Sequence, residues 1–368
     1  MRLRCQGCRR EFPFDVTQSR CPCGGVLEIT GGPTFDPRGV SESTYTIWRY
    51  RQALPVPKGG APVTLGEGWT PLVDVDWDGR SIKLKAETQN PTGSFKDRGA
   101  ALLVTALRGA GVRSVVEDSS GNAGAALSAY AARGGLHAKV YVPAHASSVK
   151  QDQIAVYGAE VVTVTGSRAA ATRAVLQAVE KGAVYASHAY SPLYAEGMKT
   201  VAFEIWEQCG SRAPGSVVVP VGHGGLLLGL SRGFDELLAA RLVERRPRLF
   251  GVQAEACAPL AQAWAQGATE VEAVQEGNTV AGGVRIADPP WGRQVLEGVR
   301  RSGGGFLAVS DEEVMKAQDK LARTGFYVEP TSALVIAALD NMNDDDVLDL
   351  HPPVVLVLTG SGFKSPRR

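Results

Sequence analysis

Four short segments carry residue types that could do chemistry together. In the first, Asn90-Pro91-Thr92-Gly93-Ser94-Phe95-Lys96-Asp97-Arg98, a turn leads Lys96 into the start of an Ala/Leu-rich helix. Backbone N–H groups at a helix entrance lower a lysine pKa, as a lysine that forms a Schiff base requires. The second, Ser119-Ser120-Gly121-Asn122-Ala123-Gly124, runs from a strand near Val115–Val116 into a helix. Its small residues and exposed N–H groups suit a carboxylate, and Asn122 has an amide to offer a phenolic oxygen. The third, Val219-Pro220-Val221-Gly222-His223-Gly224-Gly225-Leu226, follows an apolar strand and opens a helix. Its glycines let the backbone wrap a phosphate at the positive helix end. The fourth, Leu358-Thr359-Gly360-Ser361-Gly362, places a hydroxyl after a strand, within reach of an aromatic ring nitrogen. Each segment alone also reads as an ordinary turn or cap. In chain order they supply an amine, a carboxylate pocket, a phosphate cup and a hydroxyl.

The elements that must position these loops alternate. Short apolar runs lie at Arg113–Val116, Ala138–Pro143, Glu160–Val164, Ser216–Pro220, Leu249–Gln253 and Val354–Leu358. Between them are helical stretches at Ala123–Arg133, Ala169–Glu180, Lys199–Gln208 and Leu226–Ala240. Alternation of this kind predicts an α/β fold: two open twisted, mostly parallel sheets flanked by helices. In such sheets ligands sit outside the carboxyl ends of the strands, where glycine loops feed helices.

Length and composition bound the reading. A chain of 368 residues exceeds one small core and predicts two domains with an appendage. The expected division is 1–30 as a cysteine-rich unit and 31–61 as a connector with a short helix near Thr44–Ala53. Then 62–100 with 210–368 would make a large domain, and 101–209 a small one carrying the asparagine loop, the two facing across a cleft. The apolar fraction of 44% and net charge of +1 fit a globular protein with no global field toward nucleic acid or membrane. No apolar run reaches transmembrane length and the first residues lack a signal-peptide core, so a cytoplasmic location is expected.

Of six cysteines, four are crowded before residue 24. Cys5-x-x-Cys8, a twelve-residue spacer and Cys21-Pro-Cys23-Gly-Gly read as a small N-terminal zinc-ribbon unit. Four thiolates close a tetrahedral site with no open position, so the metal is expected to be structural. The alternative is a turn of free thiols that has lost its metal. Five arginines in the same stretch leave open a basic face for nucleic acid, against which the near-neutral chain as a whole counts.

The string Pro91 to Gly99 and Ser119 to Gly124 resemble the fold-type II pyridoxal 5′-phosphate (PLP) enzymes, closest to the threonine synthases. So do Glu196-Gly197-Met198-Lys199-Thr200 and the ending Leu358 to Lys364. The resemblance covers roughly residues 60–368, and a ribbon also occurs in some threonine synthases. It implies that Lys96 carries the cofactor as a Schiff base and shuttles protons. Asn122 would bond the 3′-oxygen, Gly222, His223, Gly224, Gly225 and Leu226 would hold the phosphate, and Thr359 would face the pyridine nitrogen. Ser119, Ser120, Gly121, Asn122 and Ala123 would bind the substrate α-carboxylate, with Lys199 as a further substrate contact. The substrate would be a small amino acid, O-phosphohomoserine in threonine synthases, and members of the group are often homodimers.

The sequence departs from this pattern in two places. Where the family usually has a phosphate-binding arginine before Glu-Gly-x-Lys-Thr, Tyr194 stands, which lacks the charged fork that grips a phosphate. Lys199, His188 and His223 are the basic side chains available to replace it. The phosphate loop, Gly-His-Gly-Gly-Leu, is equally near those of serine/threonine dehydratases. A dehydratase or a β-replacement enzyme on a serine-type substrate is therefore the runner-up. A catalytically silent sensor or partner-binding protein on the same fold ranks below them, because Lys96, Asn122 and Thr359 are all retained.

Overall fold

A computed structural model describes residues 1–56, 60–144, 148–341 and 350–365. In chain order the strands are β1 (Arg2–Cys5), β2 (Glu11–Pro13), β3 (Leu27–Thr30), β4 (Leu72–Trp77), β5 (Arg80–Ala86), β6 (Ser114–Glu117) and β7 (His137–Pro143). They continue with β8 (Glu160–Val164), β9 (Val184–Tyr185), β10 (Ser216–Pro220), β11 (Arg248–Ala254), β12 (Gly305–Val309) and β13 (Val354–Leu358). The helices are α1 (Lys96–Gly109), α2 (Asn122–Gly134), α3 (Ser148–Val156), α4 (Arg168–Glu180) and α5 (Pro192–Gln208). After them come α6 (Gly225–Ala239), α7 (Pro259–Ala265), α8 (Gly292–Ser302), α9 (Asp311–Arg323) and α10 (Pro330–Asp340). None of these helices is long and apolar enough to cross a membrane.

The chain divides into two compact units. The first comprises Met1–Gly68 and Asn90–Gly197, the second Trp69–Gln89 and Met198–Arg368. Unit 1 contains the parallel sheet β8-β7-β6-β9 and, at the N-terminus, the antiparallel sheet β2-β1-β3. Unit 2 is built on the six-stranded sheet β12-β11-β10-β13-β5-β4, parallel except where β4 folds back on β5. This is the expected α/β architecture of mostly parallel sheets with flanking helices.

The sequence of each strand explains its place. β10 (SVVVP) and β13 (VVLVL) are buried at every residue, as central parallel strands covered on both faces must be. β8 (EVVTV) lies at the edge of its sheet and has no fully buried residue, only exposed and half-buried ones. β4 and β5 escaped the sequence reading because charged residues interrupt their apolar pattern. Lys83 on β5 meets Asp74 on β4 at 2.5 Å across the antiparallel pair, which makes the outward charges compatible with the sheet.

Two helices differ from expectation. α5 begins at Pro192 rather than Lys199, with proline at its first position, where a missing N–H costs nothing. Gly197 inside it has a reason: a Cβ there would lie 2.5 Å from the Arg98 carbonyl oxygen of α1. The helix expected near Thr44–Ala53 is a 3-10 segment, Ile47–Ala53, whose entry is set by the Thr46 side chain accepting from the Trp48 N–H at 3.2 Å.

In unit 2 the α5 helix is tied to the sheet by a fully buried ion pair, Lys85 Nζ to Glu204 Oε2 at 2.7 Å. Lys85 also donates to the Thr70 carbonyl at 2.7 Å, and Glu204 Oε1 accepts from the Trp69 N–H at 2.8 Å. Removing one partner leaves a buried charge uncompensated. Glu204→Ala is therefore expected to cost about 3–5 kcal/mol of stability, seen as a lowered unfolding midpoint in urea. Glu204→Gln, which retains an acceptor, should cost less.

Candidate active site

Unit 1 holds the amine and the asparagine loop. Lys96 is the first residue of α1 and only 9% exposed. The turn before it is fixed by Asp97, whose carboxylate accepts from the Thr92 N–H at 2.7 Å and from the Thr92 hydroxyl. Gly93 takes φ +81°, a left-handed conformation that favours glycine. Beside the lysine, Ser94 Oγ is fully buried and has no hydrogen-bond partner among the described residues. Such an orphan costs roughly 1–3 kcal/mol unless a bound group satisfies it.

The Ser119-Ser120-Gly121-Asn122-Ala123 loop follows β6, and Asn122 opens α2 with Gly121 as the N-cap. Gly124 is obligatory, since a Cβ there would lie 2.0 Å from the Ser119 carbonyl oxygen. The loop thus folds tightly onto the first turn of α2, where N–H groups lack intrahelical acceptors and favour an anion.

The segment around Tyr194 is also in unit 1. Tyr194 is 2% exposed, and its hydroxyl donates to the Lys96 carbonyl at 2.8 Å. Its ring packs on Gly99, where a Cβ would lie 2.3 Å from a ring carbon. His188 is buried with Nδ1 2.9 Å from Glu117 Oε1, while its backbone N–H donates to Glu117 Oε2 at 3.1 Å. Burial first, then the Lys96 charge, push the His188 pKa well below the usual histidine value. Burial pushes the Glu117 carboxyl up to about 7.

Unit 2 holds the glycine cup and the hydroxyl. Gly224, at φ +95°, is the N-cap of α6. A Cβ at Gly222 would lie 3.0 Å from the Gly283 carbonyl oxygen, one at Gly224 2.7 Å from Val295, and one at Gly225 2.7 Å from the His223 ring. The Gly225 N–H meets His223 Nδ1 at 3.2 Å, and Leu226 is buried in the first turn. The result is bare backbone around the N–H groups of a helix start, the cradle a phosphate needs. Thr359 follows β13 and is 2% exposed, its hydroxyl 3.0 Å from Ser332 Oγ. Ser332 Oγ also accepts from the Gly360 N–H at 2.8 Å. The single Ser332 proton has two acceptors in reach, the Gly360 carbonyl at 3.1 Å and the Thr359 hydroxyl, and only when it goes to Thr359 is the threonine proton left for another acceptor. Lys199 is 1% exposed and its ammonium lies 2.7 Å from Glu236 Oε1, an ion pair within unit 2.

Sequence reasoning missed Ser94, Glu117 and Ser332. Glu117 had a signal: two acids end an apolar strand directly before the glycine loop. Ser332 had none, because it lies mid-helix in α10 and meets Thr359 only through the fold.

At the N-terminus, the Sγ atoms of Cys5, Cys8, Cys21 and Cys23 lie within 4.8 Å of one another. Cys5 and Cys23 are 3.4 Å apart, Cys8 and Cys21 3.7 Å. Tetrahedral zinc with Zn–S bonds near 2.3 Å spaces its sulfurs by roughly 3.8 Å, so the cluster fits. The remaining cysteines, Cys209 and Cys257, stand apart as free thiols.

The chain belongs to the pyridoxal-phosphate dependent enzymes, a family that matches residues 63–360. The bare cup, the orphaned Ser94 hydroxyl and the lysine at the start of α1 suit that cofactor. Among relatives, the threonine synthase of Methanocaldococcus jannaschii is 35% identical over 100% of this chain and 93% of its own length. That of Mycobacterium tuberculosis is 36% identical over 87% of this chain and 88% of its own length. Among solved structures, the threonine deaminase of T.th. is similar at TM-score 0.69 and 29% identity, covering 81% of this chain and 93% of that one. Maize serine racemase, at 24% identity and TM-score 0.69, shares the fold over 79% of this chain and 88% of that one.

A methyl group at Gly224 would strain the backbone and meet Val295. Gly224→Ala is expected to weaken PLP binding about tenfold, measured by titrating the protein with cofactor and following its absorbance.

Proposed function

We propose that the chain is a threonine synthase-type lyase converting O-phosphohomoserine and water to threonine and phosphate. The observation that carries this reading is the 35% identity to a threonine synthase across the whole chain, the cysteine-rich N-terminus included. PLP, when bound, supplies an electron sink for negative charge developing beside the amino nitrogen. Lys96 would hold the cofactor and Asn122 its ring oxygen. Gly222 to Leu226 would take its phosphate, and Thr359 the ring nitrogen.

The remaining work falls to this chain's own groups. The Ser119–Ala123 loop would fix the substrate α-carboxylate. Lys96 Nζ would remove the α-proton and then move a β-proton. Phosphate leaves from the γ-carbon, water adds at the β-carbon, and threonine is released.

A second reading has a specific observation in its favour. The Tyr194 hydroxyl is engaged with the Lys96 carbonyl, and the Lys199 ammonium pairs with Glu236. Neither is then the fork that a phosphorylated leaving group calls for, and we leave Lys199 out of the proposed site. An uncharged hydroxyl leaving group, as in serine or threonine elimination, makes no such demand. Purified protein with PLP should release phosphate and threonine in equal amounts from O-phosphohomoserine. A 2-oxo acid from serine or threonine, with no turnover of O-phosphohomoserine, would select the second reading. Lys96→Ala is expected to abolish both activities and the cofactor's lysine-linked absorbance; persistence of that absorbance would overturn the role of Lys96.

We further propose that Cys5, Cys8, Cys21 and Cys23 hold a structural zinc. The knuckle is braced within unit 1: Arg20 Nε donates to the Gly24 carbonyl at 2.6 Å, and its guanidinium lies 4.3 Å from the Tyr190 ring centre. Metal analysis should find stoichiometric zinc, lost in Cys8→Ser and Cys23→Ser. Removing it should lower the thermal midpoint without abolishing PLP binding.

A further inference from the structure

β6 ends on Glu117, and Asp118 follows it immediately before the asparagine loop. Asp118 is engaged locally, accepting from the Tyr185 hydroxyl at 2.8 Å and the Thr172 hydroxyl at 2.6 Å. Glu117 is different. Fully buried, it accepts from the His188 ring at 2.9 Å and the His188 backbone N–H at 3.1 Å, and from the Asp118 N–H at 3.1 Å. With Glu117 ionised, Nδ1 must carry the hydrogen, which leaves Nε2 as the acceptor nitrogen. The His188 ring meets the Tyr194 ring edge-on, centroids 6.2 Å apart at 72°. Tyr194 donates to the Lys96 carbonyl, and its ring centre lies 5.9 Å from Lys96 Nζ. Residues 117, 188, 194 and 96 thus form a continuous buried path that ends on the amine.

The fold does not require this path. A carboxylate and an imidazole facing each other in an apolar interior cost desolvation energy that an apolar pair would not. We propose that Glu117 and His188 are positioning residues for the reaction: acting through Tyr194, they hold the Lys96 amine in place, and the Glu117 charge stabilises its protonated form once it has taken a proton from substrate. The inference rests on Lys96 being the cofactor lysine.

The neighbouring charges decide where the variable charge sits. Lys96 and Asp97 approach from α1, Asp118 from the residue after β6, Tyr185 from β9, Arg168 from α4 and Tyr194 from α5. Burial, Lys96 and Arg168 disfavour a cation on His188; Asp118 opposes them, as does Glu117, 2.9 Å from Nδ1, when it is ionised. The imidazole therefore stays neutral, and any charge the pair holds sits on Glu117, whose carboxyl burial pushes up to about 7 and which is ionised above that pH. Lys96 favours that carboxylate, and by reciprocity the carboxylate favours a proton on Lys96. Tyr194 stays protonated, since burial and the Glu117 and Asp97 charges all raise its pKa.

The test uses the full chain with PLP bound. In Glu117→Gln the amine should lose its proton more readily. The pH profile of kcat should then move to lower pH by about one unit, with kcat reduced at least tenfold and KM nearly unchanged. Tyr194→Phe should lower kcat without moving KM. In the unmutated protein, labelled with 15N-histidine, the His188 imidazole signal should shift when PLP is added and the lysine charge is altered, a readout independent of turnover and of whether a variant folds. A folded Glu117→Gln with an unmoved pH profile, or a His188 signal indifferent to PLP, would overturn the proposal. Reduction of the bound cofactor with borohydride followed by peptide mapping checks Lys96 itself, so a wrong lysine and a wrong positioning role give different results.

Discussion

An amine that must react as a base has to be kept partly out of water, and a lysine there is costly unless fixed neighbours hold it. Lys96, the amine proposed to react, meets this constraint at the first turn of α1, 9% exposed. Asp97 ties the preceding turn to Thr92, Tyr194 bonds the Lys96 carbonyl, and Gly99 admits the Tyr194 ring. Much of unit 1 around α1 follows from these contacts. The left-handed Gly93, the close passage of Gly197 against Arg98 and the buried Glu117–His188 pair all serve a helix start that must not shift.

The same economy appears at the loops. Parallel strands deliver each connection to the carboxyl edge of the sheet, where it enters a helix. β6 leads through Ser119–Gly121 into α2, β10 through Val221–Gly224 into α6, and β13 into Thr359. At Gly124 and Gly224 a side chain would collide with backbone or with Val295, so what is presented is main-chain N–H. Main-chain N–H groups at helix starts bind carboxylate and phosphate without the desolvation penalty of a buried cation. Such loops recur across enzymes with different substrates, which is why they report the cofactor class better than the leaving group.

The amino-terminal knuckle is a small structure with little core of its own: Leu3, Cys5, Cys21 and Leu27 make up its buried cluster. A unit of that size needs a cross-link, and four sulfurs at tetrahedral spacing supply the means. Its Arg20 stacks on Tyr190, four residues before Tyr194, so the knuckle and the segment that touches Lys96 share one region of unit 1.

The sequence by itself determined the class of fold, the order of the loops and the cysteine cluster. Runs such as Val354–Leu358 and Ser216–Pro220 are long and apolar enough to be central strands in any packing, and the glycine strings, each an ordinary turn alone, carried meaning through their order along the chain. The strands β4 and β5 were not legible, because their charged residues pair with each other only once the hairpin exists. Neither was the start of α5, since Pro192 and Gly197 look like breakers until the close approach of α1 explains the glycine. At the site, Lys96, Asn122 and Thr359 stood out by their neighbours in sequence. Ser332 beside Thr359, His188 on Glu117 and Lys199 on Glu236 did not, because each pair joins residues distant in the chain. Tyr194 is the clearest instance. Its identity could be read as a missing arginine, but that its hydroxyl holds the backbone of Lys96 was decided by tertiary structure alone, since only packing of α5 against α1 brings the two together.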